Sequence, residues 1–319
     1  MSISAVRIGP RSGRDSCDFF FPPIAKTSNI IGVVSDSVAP IYTERMSTIL
    51  PSVAILGTGN MGGAILRGLL GPGIEAESIR VTTRSAASAL TLRASGVEAK
   101  SLEEDSDANA WALENARLVV LGVKPYQIVE LLGEISSQAH PDAVMVSVAA
   151  GITIPTMEKV WPGALVRAMP NTPSGVGKGV TGMSIGTTVS PEQSREVETL
   201  FGTVGEVLVI AEEQINALSS LSGSGPAYVY FFMEKFLEVA GELGFSPDQA
   251  EVMIRGTFVG ALALLEQSGQ APHELREAVT SPQGTTEAAL NVYAAADLPS
   301  IIRQASAAAI ARAQELAGD

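Results

Sequence analysis

The sequence has little cysteine and little histidine. Its 319 residues include one cysteine, Cys17, and two histidines, His140 and His273. A single cysteine cannot form a disulfide within the chain, and neither histidine has a cysteine or histidine neighbour at metal-ligand spacing. The sequence therefore argues against a structural zinc site and against serine-triad chemistry, and we expect no bound metal.

Long apolar runs and positive charge are also scarce. The most apolar stretches, residues 116–123 and 256–265, fall short of the roughly 20 residues that a membrane helix needs. The net charge of −13 disfavours phosphate backbones and anionic membrane surfaces. We expect no nucleic-acid partner and no membrane partner, and the absence of a recognisable secretory signal predicts a cytoplasmic location.

The length and composition predict two globular domains. Hydrophobic residues make up 46% of the chain and charged residues 17%. Residues 1–50 show no clear helix or strand period and contain scattered prolines, so we expect a poorly ordered extension. Met46 is a candidate for the natural start, and a regulatory or targeting tail is the alternative. The remainder divides into residues 51–210 and residues 211–319.

Residues 51–210 alternate short apolar runs with helical segments. This alternation predicts an α/β fold of the Rossmann type, with a doubly wound parallel sheet. The expected strands are 53–56, 79–83, 118–123, 143–148 and 165–169, and the expected helices are 61–70, 86–94, 109–115 and 127–136. Two further strands, 180–185 and 204–210, extend the sheet around a helix that begins at Pro191.

After residue 211 the strand pattern disappears. Five helices are expected, at 227–243, 247–267, 272–279, 285–292 and 300–316. The C-terminal domain is therefore predicted to be all-α. Its surface is rich in small apolar residues, which predicts that two subunits pack through these helices.

A glycine-rich segment connects the first strand to the first helix. Gly57, Gly59 and Gly62 form a G-x-G-x-x-G pattern between them. In this context the first glycine permits a tight turn, the second allows a pyrophosphate to approach and the third allows close packing of helix on strand. The pattern predicts a dinucleotide site, and a merely glycine-rich turn is the alternative.

The end of the second strand indicates which dinucleotide is preferred. An NAD-preferring domain usually presents an acid here to the ribose 2′-hydroxyl, whereas this chain has Thr82, Thr83 and Arg84. Hydroxyls and a guanidinium suit a 2′-phosphate, so we expect NADPH, with NADH used less efficiently. An ordinary exposed arginine is the alternative.

Two clusters of glycine, serine and proline interrupt the helical domain, at residues 222–226 and 280–286. Each comes before a helix. Free N–H groups at a helix N-terminus bind carboxylates, so both clusters are candidates for a substrate site. Simple helix capping is the alternative.

These segments resemble the pyrroline-5-carboxylate reductases of proline biosynthesis. The similarity extends from about residue 52 to the C-terminus, and it rests on the glycine motif and five further motifs, at residues 123–125, 149–151, 169–173, 221–228 and 279–286. In the last motif the family usually has two adjacent glycines, and Gln283 replaces the first.

The resemblance implies a role for particular residues. The residues implied to contact the dinucleotide are Gly57, Thr58, Gly59, Asn60, Met61, Gly62, Arg84, Asn109, Val123, Lys124, Pro125, Ala149 and Ala150. Ser281, Gly284, Thr285 and Thr286 are implied to bind substrate, with Thr286 as the catalytic residue that hydrogen-bonds the ring nitrogen. The implied reaction is NADPH-dependent reduction of 1-pyrroline-5-carboxylate to L-proline, in a homodimer or a larger homo-oligomer.

Two alternatives have the same general architecture. A β-hydroxyacid dehydrogenase needs a catalytic lysine one helical turn after a Gly-x-Gly at the start of its long helix, and residues 226–230 contain none. A non-catalytic dinucleotide sensor would have no need of the hydroxyl-rich segment at residues 280–286.

Overall fold

The computed structural model describes residues 49–317. Nearly all of the predicted N-terminal extension, including Met46, lies outside this range. The extension was predicted to reach residue 50, but Ile49 and Leu50 form a short strand, β1 (Ile49–Leu50), which pairs with β3 (Glu75–Ala76). Leu50 is fully buried, because it packs into the main core. The division between residues 210 and 211 stays a prediction.

Within residues 49–317 the main sheet has eight strands. They are β2 (Val53–Leu56), β4 (Ile79–Thr83), β5 (Glu98–Ser101), β6 (Leu118–Leu121), β7 (Val144–Ser147), β8 (Leu165–Met169), β9 (Gly179–Ile185) and β10 (Gly205–Val209). Their order in the sheet is β10-β9-β8-β7-β6-β2-β4-β5. The sequence pattern anticipated all of these strands except β5, whose residues Glu98, Ala99, Lys100 and Ser101 do not form an apolar run.

The predicted Rossmann-type α/β fold with a mostly parallel sheet is confirmed, although one pair of neighbouring strands departs from the predicted parallel direction. β8 and β9 pair antiparallel, and every other neighbouring pair is parallel. The connection between β8 and β9 is short and contains only a 3₁₀ segment (Thr172–Val176). A parallel neighbour needs a crossover of a dozen or more residues, so this short connection reverses the chain direction.

In the part of the chain that the structure describes, seven α-helices lie between the sheet strands or follow the last of them. They are α1 (Asn60–Leu69), α2 (Ala86–Ala94), α3 (Ala108–Leu113), α4 (Ile128–Ile135), α5 (Ile154–Glu158), α6 (Pro191–Gly202) and α7 (Ile215–Leu218). Side chains of α1 and α6 join one apolar cluster with Val53 and Ile55, while α3 and α4 join another with Ala54 and Leu56. Because successive strand residues face opposite sides, β2 is buried on both faces.

Within the described residues, five further helices make up the C-terminal helical region, as predicted. They are α8 (Gly225–Glu242), α9 (Pro247–Ser268), α10 (Pro272–Ala278), α11 (Thr285–Ala295) and α12 (Leu298–Ala317). Within one chain α8 and α9 each bury a single residue, Ala240 and Ala250, and they expose large apolar side chains such as Phe231 and Val252. Among residues 49–317 no helix has the length and apolarity to cross a membrane.

A buried ion pair connects the sheet to the beginning of the helical region. Arg167 on β8 is 2% exposed, and its Nη1 lies 2.9 Å from Oε1 of Glu212, which is 21% exposed. The same guanidinium donates to Oδ1 of Asn216 on α7 at 3.1 Å. Glu212 Oε1 also accepts the N–H of Ile154 at 3.1 Å. One arginine thus joins β8 to α7 and, through Glu212, to α5.

Candidate active site

Four strand ends form the candidate dinucleotide site. β7, β6, β2 and β4 are consecutive and parallel, so their C-terminal ends and the loops after them lie at one edge of the sheet, here called the carboxyl edge. In the sheet, β4 and β5 follow β2 toward one end, whereas β6, the next strand in the chain, pairs with the opposite side of β2. This change of direction places a crevice between β2 and β6, the usual ligand position in such sheets.

The glycine motif lies at the centre of the carboxyl edge. Gly57 has φ of +92°, a conformation that glycine adopts without strain, and its N–H donates to the carbonyl of Thr82 at 3.1 Å. A Cβ on Gly62 would collide with the carbonyl oxygen of Gly57, whereas a Cβ on Gly59 would meet nothing within 4 Å. The third glycine therefore allows helix and strand to pack, and the second leaves space for a ligand.

The start of α1 is suited to a phosphate group. Its N-cap, Gly59, makes no side-chain cap, and its first turn contains no acidic residue. A groove of about 680 Å³ begins here at Thr58 and Asn60 and continues along α1 as far as Leu70 and past α2. Free N–H groups at a helix N-terminus attract anions, so this end of α1 can hold a pyrophosphate.

The loops after β6 and β7 complete the central part of the edge. A Cβ on Gly122 would strike the carbonyl oxygen of Gly57, so the two loops touch through their backbones. Lys124 is exposed, and its N–H donates to the side chain of Gln127. Ala149 is buried and Ala150 is exposed after β7. Val123 and Pro125 are half-buried, so this surface is largely backbone and small apolar groups.

The end of β4 holds the residues predicted to select the dinucleotide. Thr82 is buried, and its hydroxyl donates to Oδ1 of Asn109 at 2.9 Å. This bond leaves the amide nitrogen of Asn109 as a donor for a ligand. The Thr83 hydroxyl donates to the carbonyl of Ser85 at 2.9 Å, while Arg84 is exposed and forms no ion pair within residues 49–317.

Sequence reasoning missed one acidic residue at this end of β4. Glu103 follows β5, and its carboxylate accepts the N–H of Ala86 at 2.9 Å. No acid follows β4 directly in the sequence, and Glu103 is 17 residues beyond Ala86. Since β5 was not predicted, no sequence pattern indicated that the backbone of Glu103 pairs with that of Arg84.

The cluster at residues 222–226 was predicted to be a loop, but in the structure it is largely helical. Residues Ser219–Gly223 form a π-helical turn that leads into α8, and the N–H of Ser224 donates to the carbonyl of Ser219 at 2.9 Å. This segment is fixed to the sheet by Asn171, which is 8% exposed. Its Nδ2 donates to the carbonyl and hydroxyl oxygens of Ser222 at 3.1 and 3.2 Å. The turn is therefore a helical junction, and the role of Asn171 could not be read from the sequence.

The cluster at residues 280–286 is a loop before α11, as predicted. Gln283, which replaces the family's glycine, has φ of +58°, so a glutamine here occupies a left-handed conformation that favours glycine. Gly284 is the N-cap of α11 without a side-chain cap, and Ser281, Thr285 and Thr286 are exposed. The start of α11 therefore has no side-chain cap, and the exposed Thr286 lies in its first turn.

The structure brings the predicted dinucleotide residues together but leaves the 280–286 loop apart from them within one chain. The loop bonds locally: the Thr280 hydroxyl donates to the carbonyl of Arg276, and the N–H of Gln283 donates to Glu287. Within the described part of the chain, no hydrogen bond or ion pair joins residues 280–286 to the carboxyl edge. Nor do residues 49–317 contain a cluster of three potential metal ligands.

A Rossmann-type sheet with a glycine loop, an uncapped helix N-terminus and a crevice at the strand-order reversal defines a dinucleotide-binding enzyme. Comparison with known families makes this assignment more specific. Residues 52–151 match a family model described as NADP oxidoreductase, coenzyme F420-dependent. Residues 212–316 match one described as pyrroline-5-carboxylate reductase dimerisation.

Curated relatives cover nearly the same region. The chain is 36% identical over 272 residues to a pyrroline-5-carboxylate reductase of Corynebacterium melassecola, covering 84% of this chain and 99% of the relative. It is 36% identical to that of Pseudomonas aeruginosa, covering 85% and 98%. The solved structure of the Coxiella burnetii protein has a TM-score of 0.76 at 37% identity, covering 83% and 98%. The chain belongs to the pyrroline-5-carboxylate reductase family and is an NAD(P)-dependent oxidoreductase.

Proposed function

We propose that this enzyme reduces 1-pyrroline-5-carboxylate to L-proline with NADPH. One observation carries the proposal: a chain of this family has both a sheet edge suited to a dinucleotide and a hydroxyl-rich loop, residues 280–286, before the uncapped N-terminus of α11. The relatives named pyrroline-5-carboxylate reductase support the substrate, and a Plasmodium falciparum relative was solved with NADP bound, at 23% identity and a TM-score of 0.71. An assay of NADPH oxidation coupled to detection of proline tests the proposal.

The carboxyl edge fits a dinucleotide. Gly59 leaves space beside the N-terminus of α1 for the pyrophosphate, and the close contact between Gly57 and Gly122 keeps the floor of the crevice free of side chains. Arg84 and the amide of Asn109 are available at the adenosine side. When bound there, NADPH supplies the hydride for reduction of the C=N bond.

The 280–286 loop is proposed to hold the substrate. The substrate has a carboxylate and a ring nitrogen, and the free N–H groups at the start of α11 suit the carboxylate. The Thr286 hydroxyl, in the same first turn, can hydrogen-bond the nitrogen and orient the ring. A protonated imine is already a strong electrophile, so positioning, exclusion of water and stabilisation of nitrogen are the main tasks left to the protein.

The helical region is proposed to form a homodimer, and larger homo-oligomers are compatible with the same surface. The match to a dimerisation family supports this, as do the exposed apolar side chains of α8 and α9. Because the 280–286 loop has no bond to the carboxyl edge of its own chain, we propose that it completes the edge of the partner subunit. A cytoplasmic location stays a prediction.

The comparisons favour this reaction over both alternatives. The relatives quoted above are named as reductases, whereas neither the β-hydroxyacid dehydrogenase nor the dinucleotide sensor has a specific feature in its favour. The long helix α8 has Lys235 in its third turn, but its side chain pairs with Glu238 on the helix surface at 2.6 Å. The first turn, where that alternative needs its lysine, has none.

Replacing Arg84 with alanine is expected to raise KM for NADPH about tenfold while KM for NADH changes less than about twofold. The guanidinium would pair with the 2′-phosphate, which NADH lacks. Steady-state kinetics with both dinucleotides measure the effect. Arg195→Ala, which removes an exposed arginine of α6, is the control and should change neither value. Equal increases of KM for both dinucleotides in Arg84→Ala would show that Arg84 does not bind the 2′-phosphate of NADPH.

A further inference from the structure

Glu103 lies beside the residues proposed to select NADPH. Past the ends of β4 and β5 the two segments remain paired, because the N–H of Leu102 donates to the carbonyl of Thr83 at 2.9 Å and that of Glu103 to the carbonyl of Arg84 at 3.2 Å. The backbone of Glu103 therefore runs directly alongside Arg84. Two exposed residues of opposite charge therefore have paired backbones at the same end of the sheet, and no ion pair between their side chains is formed within residues 49–317.

The Glu103 carboxylate occupies the start of α2. Its Oε2 accepts the N–H of Ala86, the first residue of that helix, at 2.9 Å. The N–H of Ser88 is taken as well, by the hydroxyl of the N-cap Ser85 at 3.3 Å. Phosphates bind favourably at helix N-termini because the N–H groups there are free and the helix dipole is positive. Here two of those N–H groups are already bonded within the chain, one of them to a negative charge.

We propose that Glu103 is a specificity-determining residue that opposes Arg84 and limits the preference for NADPH over NADH. The proposal rests on the proposed use of NADPH at this edge. A 2′-phosphate carries a charge of about −1.5 to −2, so a carboxylate beside it is repulsive. A ribose 2′-hydroxyl can instead donate to a carboxylate, the arrangement that favours NADH in related sheets. The chain therefore combines a cation that attracts the phosphate with an anion that repels it.

The test measures binding of adenosine 2′,5′-bisphosphate and adenosine 5′-monophosphate by titration calorimetry, at fixed pH and low ionic strength. Glu103→Gln keeps an oxygen that can accept the N–H of Ala86 but removes the charge. Affinity for the 2′,5′-bisphosphate is expected to rise about three- to tenfold, because one repulsion between exposed charges a few ångströms apart is removed. Affinity for the 5′-monophosphate is expected to stay within about twofold, because its 2′-hydroxyl is neutral and the amide oxygen has two lone pairs, one for the N–H of Ala86 and one for that hydroxyl.

Glu104→Gln is the matched control. Glu104 is the next residue and is also exposed, but its carboxylate pairs with Arg93 at 3.1 Å and accepts from Ser101 at 2.8 Å. The hydrogen bond from Arg93 lowers the pKa of Glu104, so the control removes a full charge at neutral pH. Its expected effect on either ligand is less than about twofold, because this charge is already paired.

Three results would overturn the inference: unchanged discrimination in Glu103→Gln, an equal gain in Glu104→Gln, or no binding of the 2′,5′-bisphosphate by wild type and Glu103→Gln alike. Reductase activity of the wild type is measured separately. If no proline forms while Glu103→Gln still gains affinity for the 2′,5′-bisphosphate, the proposed reaction fails and the role of Glu103 stands.

Discussion

Thr286→Ala is expected to lower kcat and kcat/KM about a hundredfold to a thousandfold, the usual cost of removing one hydrogen bond to a changing charge in a desolvated site. The hydroxyl would bond the imine nitrogen as its charge changes, so the bond strengthens in the transition state and its loss appears in kcat. Steady-state kinetics with saturating NADPH measure the effect. Affinity for the dinucleotide should change little, because the dinucleotide is proposed to bind at the carboxyl edge of the sheet and not at α11.

Thr286→Ser is the matched variant. It keeps the hydroxyl oxygen and should retain much of the activity, whereas a residue needed only for helix structure would give both variants similar rates. Thermal unfolding of each variant checks that α11 is intact. If Thr286→Ala turns over nearly as fast as wild type, Thr286 is only part of the first turn of α11 and the substrate assignment is wrong.

Arg167→Met is expected to reduce the free energy of unfolding by about 3 kcal/mol, the lower end of the range for breaking a buried ion pair. The substitution leaves the Glu212 carboxylate without its cation. Glu212 keeps a fifth of its side chain exposed, and this partial hydration is why the lower end applies. Urea unfolding at one fixed protein concentration measures the change, because oligomer stability depends on concentration.

Two further variants test whether the loss of stability in Arg167→Met comes from the unpaired Glu212 carboxylate. Arg312→Met removes an arginine from an exposed pair with Glu315 and should cost less than about 1 kcal/mol. Arg167→Met combined with Glu212→Leu removes both charges and should recover part of the loss, since the unpaired carboxylate is then gone. A loss in Arg167→Met no larger than in Arg312→Met would show that the buried pair of Arg167 with Glu212 does not stabilise the fold.

Much of this fold could be predicted because its strongest elements are fully buried. β2 and β6 are continuous apolar runs covered by helices on both faces, and such runs alternating with helical segments predict strands of a largely parallel sheet. The glycine motif was equally informative, because Gly57 and Gly62 each meet a steric requirement that other residues cannot. Arg84, residues 123–125 and residues 149–150 follow the C-terminal ends of parallel strands, so they lie at the same edge of the sheet as the glycine motif.

The missed features depend on contacts between distant segments. β5 is not apolar, so its pairing with β4 depends on the sheet and not on its own sequence. The antiparallel direction of β9 follows from a short connection that the pattern of strands does not reveal. Arg167 with Glu212, Asn171 with Ser222 and Glu103 with Ala86 are all bonds across 17 or more residues. No local pattern predicts such partners.

The most direct test incubates the wild-type protein with 1-pyrroline-5-carboxylate and NADPH and measures NADPH oxidation and proline formation together. Hydride transfer to the C=N bond predicts one L-proline for each NADPH consumed, and no consumption when the substrate is omitted. NADH should support the same reaction less efficiently. NADPH oxidation without proline, or no oxidation under conditions where the dinucleotide is shown to bind, would contradict the proposed function.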